Sequence, residues 1–319
     1  MFRSLFIYLS KASWARKIVT RFPIARWLAS RFVAGDKLED AITVIQALNS
    51  KGINASLDLL GENTTTPDEA RQATQEIIEA FGEIDRTGVC ANVSVKLTQL
   101  GLALDNDLCA ENLEQILERA RQLSNFVRVD MEDSNVTQTT LDLMRQMRQR
   151  GFVNVGIVIQ SYLYRSGQDI AQLAEEKVPV RLCKGAYKEP PRVAYPNKQD
   201  VDDAYDRETA ILLDGALKHG SPPVSPDGKI PPLPAIATHD ERRIAHAKAY
   251  AEKIGLPKNA LEFQMLNGIR RDLQERLASD GYPVRVYVPF GTQWYPYYMR
   301  RLAERPANVW FFVSQLFHR

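Results

Sequence analysis

The chain is poor in the residues that most often announce a function. Its three cysteines, Cys90, Cys109 and Cys183, stand in no recurring spacing. An odd, unpatterned set offers neither a disulfide framework nor a zinc site, and it points to a reducing compartment. The four histidines, His219, His239, His246 and His318, include no H-E-x-x-H and no other metal-ligand spacing, so metal-dependent hydrolysis is not expected. No G-x-G-x-x-G follows the first predicted strand, which removes the dinucleotide fingerprint. Basic residues number 41 against 39 acidic ones, and a net charge of +2 is too small to neutralise a phosphate backbone. Nucleic acid is therefore not an expected partner.

Residues 1–35 lack acidic side chains altogether while carrying seven basic ones. Aromatic and aliphatic residues are interleaved with those charges, and no apolar run is long enough for a secretory signal or a transmembrane helix. Three readings stay open: a helix packed on the main domain, a helix lying on an anionic membrane surface, or an organelle transit peptide. The apolar "NVWFFVSQLFHR" at the other end carries the same ambiguity.

Between these ends the pattern alternates. Short apolar or β-branched runs fall at 53–60, 92–99, 126–132, 154–160, 178–187, 234–240, 260–266 and 284–291. Segments of helical period separate them, among them "NLEQILERARQL" and "ERRIAHAKAYAEKI". Eight such units, the last closed by the helix that carries Arg300 and Arg301, point to an α/β protein: a (β/α)8 TIM-type barrel. A doubly wound open sheet is the structural alternative. The expected organisation is basic amphipathic N-terminal helices over 1–50, followed by the barrel with a C-terminal helix over 51–319. A proline-rich insertion, "HGSPPVSPDGKIPPLP", precedes the sixth strand and has no assigned place.

In a barrel the site lies where strands end and the following loops begin. The strand ends read Asp58, Lys96, Asp130 with Glu132, Gln160, Arg181 with Lys184, Thr238-His239-Asp240, Gln264 and Tyr287. Polar residues therefore gather at one rim. Cations in a barrel mouth are costly unless they meet an anion or pair with carboxylates. Adjacent arginines can each offer a planar fork to one carboxylate, and phosphate is the competing ligand. Tyr297 and Glu304 lie one turn to either side of the arginine pair. On pattern alone, Lys96 and Asp130 would be a rim ion pair, and Leu266 and Ala186 core residues. Cys183 is expected to turn away from Arg181 and serve packing.

The segments "SVKL", "RVDMEDS", "VGIVIQSYLYRS", "VRLCKGAYKE", "ATHD", "EFQMLNGI" and "VYVPFGTQWYPYYMRRLAERPAN" resemble, in this order, the proline dehydrogenase family. The likeness runs from about residue 50 to 310 and includes the closing Tyr-x-x-Arg-Arg-x-x-Glu. It implies a (β/α)8 flavoenzyme that oxidises L-proline to Δ1-pyrroline-5-carboxylate, with hydride transfer to N5 of FAD and electrons passed to a quinone. Arg300 and Arg301 would hold the substrate carboxylate, supported by Lys96, and Glu304 would pair with one of the arginines. Tyr287, Tyr297, Leu266, Ala186 and Tyr187 would line the pocket. Asp130 and Arg181 are the expected catalytic residues, Asp130 near Lys96 and Arg301, and Arg181 beside the flavin N5. Met131, Gln160, Lys184, Gly185, Thr238 and His239, with Arg181 and Ala186, would contact the cofactor.

Because the sequence ends soon after the barrel, the product is expected to pass to a separate pyrroline-5-carboxylate dehydrogenase. The expected location is the cytoplasm, with a peripheral hold on the inner face of the membrane as the role open to the basic N-terminus. Relatives that prefer hydroxyproline have serine where this chain has Tyr287, so proline itself is expected. Two rivals remain: a Schiff-base lyase or aldolase using Lys96 or Lys184, and a non-catalytic barrel that binds an acidic partner through its basic rim or its N-terminal helix.

Overall fold

The computed structural model describes residues 29–62 and 64–304, Ala303 and Glu304 by backbone alone, together with Leu9, Ala12, Trp14, Ala15 and Val19. The strands are β1 (Asn54–Leu59), β2 (Ala91–Val95), β3 (Val127–Val129), β4 (Val155–Gln160), β5 (Val180–Cys183), β6 (Pro234–Ala237), β7 (Glu262–Leu266) and β8 (Val284–Phe290). Each pairs in parallel with the next, and β8 pairs with β1, so the sheet closes into a barrel. Seven of the eight fall within the runs expected from the sequence, β2 starting one residue early at Ala91, and several are shorter. β2 ends at Val95 and β6 at Ala237, so Lys96 and Thr238 open the loops rather than finishing the strands.

Among the described residues nine helices accompany the strands. They are α1 (Leu38–Asn49), α2 (Pro67–Thr87), α3 (Asn106–Gln122), α4 (Thr137–Gln149), α5 (Ser166–Glu175), α6 (Lys198–His219), α7 (Glu241–Ile254), α8 (Arg271–Ser279) and α9 (Trp294–Glu304). Local chemistry sets their ends. Thr66 accepts from the Glu69 amide ahead of Pro67, and α2 stops at Gly88 in the left-handed region. Asp105 caps α3 through the Leu108 amide, and Asp240 caps α7 through that of Arg242.

The helix carrying Arg300 and Arg301 does not complete the barrel wall. α1 instead packs against β8 and β1, where Ala41, Ile42 and Ile45 join the main core. α9 buries Tyr295, Tyr297, Tyr298, Met299 and Leu302 in a separate apolar cluster with Leu60, Ile269, Phe32 and Val33. Leu60 and Ile269 follow β1 and β7, so α9 lies across the mouth of the barrel. The segment 29–35 holds that arrangement. Asn267 donates to the Phe32 carbonyl, and the Ala34 amide donates to the Pro289 carbonyl. A Cβ on Gly268 would stand 1.7 Å from the Arg31 carbonyl oxygen, so only glycine admits this crossing.

The barrel interior departs from the usual packing of branched aliphatic side chains. From the floor upward it holds Arg285, Glu262 and Arg128, then Ser56, Ser94, Gln264 and Arg181, then Asp58, Lys96, Asp130 and Tyr287. The proline-rich insertion closes the floor. The Gly228 carbonyl accepts from Arg285 and the Lys229 carbonyl from Asn92.

One buried acid in the wall has no part in this column. Glu208 on α6 is 4% exposed, and its Oε2 has no hydrogen-bond partner. Burial raises its pKa from 4.5 to about 8, against the lowering influence of Arg207. Folding therefore favours the protonated acid, and stability falls as pH rises through that window. Glu208→Gln is expected to match the parent near pH 4 and to exceed it by about 2 kcal/mol near pH 9. Urea unfolding at the two pH values measures this, and a pH-independent difference would contradict it.

Candidate active site

Beneath α9 lies a cavity of about 390 Å³. Every residue to which the family resemblance gives a role lines it, except Glu304, whose side chain lies outside the described residues. β2 and β3 deliver Lys96, Asp130 and Met131. β4 and β5 deliver Gln160, Arg181, Lys184, Gly185, Ala186 and Tyr187. Thr238 and His239 follow β6, Leu266 ends β7, and Tyr287 sits on β8. Tyr297, Arg300 and Arg301 come from α9. A second cavity of about 700 Å³ shares Glu62, Ala186, Tyr187, Tyr297 and Arg300 with the first.

The cavity floor is a tight ion-pair network. Lys96 Nζ stands 2.8 Å from Asp58 Oδ1, 3.6 Å from Asp130 Oδ2 and 3.1 Å from the Tyr287 hydroxyl. Tyr287 donates to Asp130 Oδ2 at 2.7 Å, and an Arg181 NH donates to Asp130 Oδ1 at 2.9 Å. The Tyr287 ring lies between cations, 5.8 Å from Lys96 Nζ and 5.4 Å from the Arg181 guanidinium. Burial works against the Lys96 ammonium, but Asp58, Asp130 and Glu62 outweigh it and raise its pKa. Burial raises that of Asp58, with Lys96 opposing it, and raises that of Tyr287 well above the usual phenol. Lys96 is thus a fixed positive charge and a poor nucleophile. Lys184 is likewise engaged, 2.5 Å from Asp202 and 2.7 Å from Asp240. Neither lysine suits the Schiff-base alternative.

The roof holds a carboxylate that the sequence does not announce. Glu62, in the loop after β1, grips Arg300 through both oxygens, one of them at 2.9 Å. Burial alone would raise the Glu62 pKa, yet Arg300 holds it below the usual value. The expected pairing of Glu304 with an arginine of its own helix lies outside the described residues. Nothing in the run "LLGEN" signals a contact more than two hundred residues away. Arg301 stacks on Tyr297, one turn earlier, with its guanidinium carbon 5.0 Å from the ring centre. Asp130, expected near Lys96 and Arg301, receives Arg181, Tyr287 and Lys96. Asp58, read only as a strand end, is the nearest counter-charge of Lys96.

The remaining contacts shape the side of the cavity. Gln160 donates to the Glu132 carbonyl at 2.8 Å and accepts from the Ala186 amide at 3.3 Å. His239 Nε2 accepts from the Leu266 amide at 3.0 Å, tying the loop after β6 to β7. Gly185 adopts φ +119, and a Cβ there would meet the Tyr162 ring at 2.5 Å. Cys183 also lines the cavity. It stands two residues after Arg181 and so shares its face; alternation turns Leu182 away instead. Among the described residues no group of His, Cys, Asp and Glu could hold a metal ion, and no helix is long and apolar enough to cross a membrane.

A family model described as proline dehydrogenase matches residues 41–314. The chain is 42% identical over 291 residues to the proline dehydrogenase of Deinococcus radiodurans, covering 90% of this chain and 89% of that one. It is 38% identical over 309 residues to proline dehydrogenase 2 of Bacillus subtilis, covering 97% and 96%. Among solved structures, proline utilization A from Bdellovibrio bacteriovorus, inactivated by N-propargylglycine, superposes with a TM-score of 0.79 at 27% identity. That match spans 95% of this chain and 36% of the longer one.

Proposed function

The chain belongs to the proline dehydrogenase family, whose reaction is the oxidation of proline in proline catabolism, and from that premise we propose an FAD-dependent conversion of L-proline to Δ1-pyrroline-5-carboxylate with a quinone as final acceptor. The observation that carries this reading is the cavity itself, with a guanidinium roof, a lysine held cationic in its floor and an arginine buried beside that lysine. Its volume exceeds what proline needs and leaves room for a bulky planar partner. Small residues, Gly185 and Ala186, lie along one side, and Arg181, Gln160, Lys184, Thr238 and His239 provide donors there. Met131 adds an apolar contact. This set fits a flavin, and those residues would hold it. When bound, a flavin supplies the two-electron acceptor.

The other side chains bind and orient. Arg301 and Arg300 would take the proline carboxylate from above while the Lys96 charge supports it from below. Tyr187, Tyr297, Leu266 and Tyr287 would pack around the pyrrolidine ring. Arg181, fixed by Asp130, places positive charge where electron density grows during the reaction. α9 and the Glu62–Arg300 pair exclude water from above. Turnover of L-proline by purified protein, with the pyrroline product trapped by o-aminobenzaldehyde, tests the reading. No product with a range of quinone and dye acceptors would refute it.

Tyr287→Ser is expected to shift the ratio of hydroxyproline to proline kcat/KM toward hydroxyproline by about tenfold, the scale of one hydrogen bond. The shortened side chain opens space beside Asp130 and Lys96, the two groups the phenol now contacts. An unchanged ratio would remove the specificity role. Peripheral membrane contact and transfer of the product to a separate pyrroline-5-carboxylate dehydrogenase complete the proposal. Deleting residues 1–28 spares the 29–35 crossing and should cut binding to anionic vesicles severalfold, with turnover on a soluble acceptor retained. Equal vesicle binding would locate any membrane contact elsewhere.

A further inference from the structure

The barrel axis carries one unbroken chain of buried polar side chains from floor to cavity. Arg285 donates to the Ala55 and Gly228 carbonyls, each at 2.7 Å, and its Nε faces both Glu262 oxygens at 3.1 and 3.0 Å. Gln264 Nε2 donates to Glu262 Oε2 at 2.6 Å, and Gln264 Oε1 accepts from Arg181 Nε. Arg181 then reaches Asp130. Glu262 and Arg285 are at most 1% exposed and Gln264 is 4% exposed.

A glutamine amide has one accepting end and one donating end. Between a carboxylate and a guanidinium it satisfies both in one orientation only. Turned over, it would set NH2 against the cation and oxygen against the anion, and in a buried column both mismatches are expensive. Asp130 anchors one end of Arg181, while the Ser94 and Ser56 hydroxyls at 3.2 Å can rotate to follow it. The Nε contact with Gln264 therefore sets the tilt of the guanidinium plane.

We propose that Glu262 is a positioning residue for Arg181: it selects the orientation of the Gln264 amide, and Arg285 braces it from the barrel floor. The importance of this for turnover rests on the role given to Arg181 above; the positioning itself does not. The glutamate touches neither cavity, so its effect on the reaction passes through the amide.

The test reads Arg181 directly. In ¹⁵N-labelled holoenzyme, the Arg181 Nε–Hε resonance is assigned with an Arg181→Lys variant and its solvent exchange measured. Glu262→Asp keeps the charge opposite Arg285 but withdraws it from Gln264. The resonance is expected to shift, and its exchange to quicken about tenfold or more, with loss of the fixed acceptor. Turnover should fall about tenfold with KM for proline changed less than about twofold, since Arg300 and Arg301 are untouched. An unaltered resonance and exchange rate in folded Glu262→Asp overturns the proposal, whatever the activity. A shifted resonance with unchanged kcat supports the positioning and instead refutes the role of Arg181 in the reaction. If Glu262→Asp does not fold, Gln264→Met removes the link while leaving the Glu262–Arg285 pair. The same shift is expected there, and its absence is equally contrary.

Discussion

Arg301→Ala is expected to raise KM for L-proline about a hundredfold, with a much smaller change in kcat. Truncating one member of a buried, hydrogen-bonded charge pair costs about 2–5 kcal/mol, and about 2.7 kcal/mol corresponds to a factor of a hundred. Arg301 faces the cavity from α9 and is stacked on Tyr297. A lysine would keep the charge but lose the fork and the stacking, so Arg301→Lys should recover only part of the affinity. Arg300 is gripped by both oxygens of Glu62. Arg300→Ala would also leave Glu62 without its main counter-charge beside the incoming carboxylate. Adding Glu62→Gln to Arg300→Ala should therefore restore some affinity, whereas Glu62→Gln cannot restore a missing Arg301 fork. Steady-state kinetics on these five variants, Arg301→Ala with Glu62→Gln among them, separate the two arginines. A KM for Arg301→Ala within a few-fold of the parent would show that the carboxylate binds elsewhere.

The second large effect is expected at Asp130. Its two oxygens meet Arg181, Tyr287 and Lys96. Asparagine offers an amide with one accepting and one donating end, so Asp130→Asn cannot accept from both Arg181 and Tyr287 and removes a negative charge from the floor. Breaking such a buried pair costs about 3 kcal/mol or more in stability. Because Arg181 loses its anchor, kcat should drop by about two to three orders of magnitude, the scale seen when an electrostatic contact is misplaced. KM for proline should change little, as α9 is untouched. A variant that melts earlier but turns over normally while folded would reduce Asp130 to a structural ion pair.

How much of this could be read from the sequence follows from the range of each interaction. Strands alternating with helices depend on local periodicity, and all eight strands were legible for that reason. Residues at strand ends were legible too, because barrel geometry sends them to one rim. Strand termini were overestimated at Lys96 and Thr238, where apolar runs continue into turns. Three features depended on contacts that no local pattern encodes. Glu62 meets Arg300 only because α9 folds over the mouth. α1 occupies the wall position that the arginine-bearing helix would otherwise fill, and it can do so because segment 29–35 crosses Gly268. The proline-rich insertion reads as a loop of no fixed place until Gly228 is seen accepting from Arg285. Cys183 illustrates a simpler lesson, since two steps along a strand return to the same face.

The polar interior is the least expected part of the fold, and it also explains the site. Three buried arginines and a lysine would be prohibitive singly. Set against Asp58, Asp130 and Glu262 along one axis, most of their hydrogen-bonding groups are satisfied, and the column carries positional constraint from the floor to the cavity.

One measurement bears most directly on the central claim. The visible spectrum of purified protein, recorded anaerobically before and after addition of L-proline, should show the absorption band of an oxidised flavin. Addition of proline should bleach that band. A flavin spectrum unaffected by proline, or a protein that stays colourless after incubation with FAD, would contradict the proposed reaction.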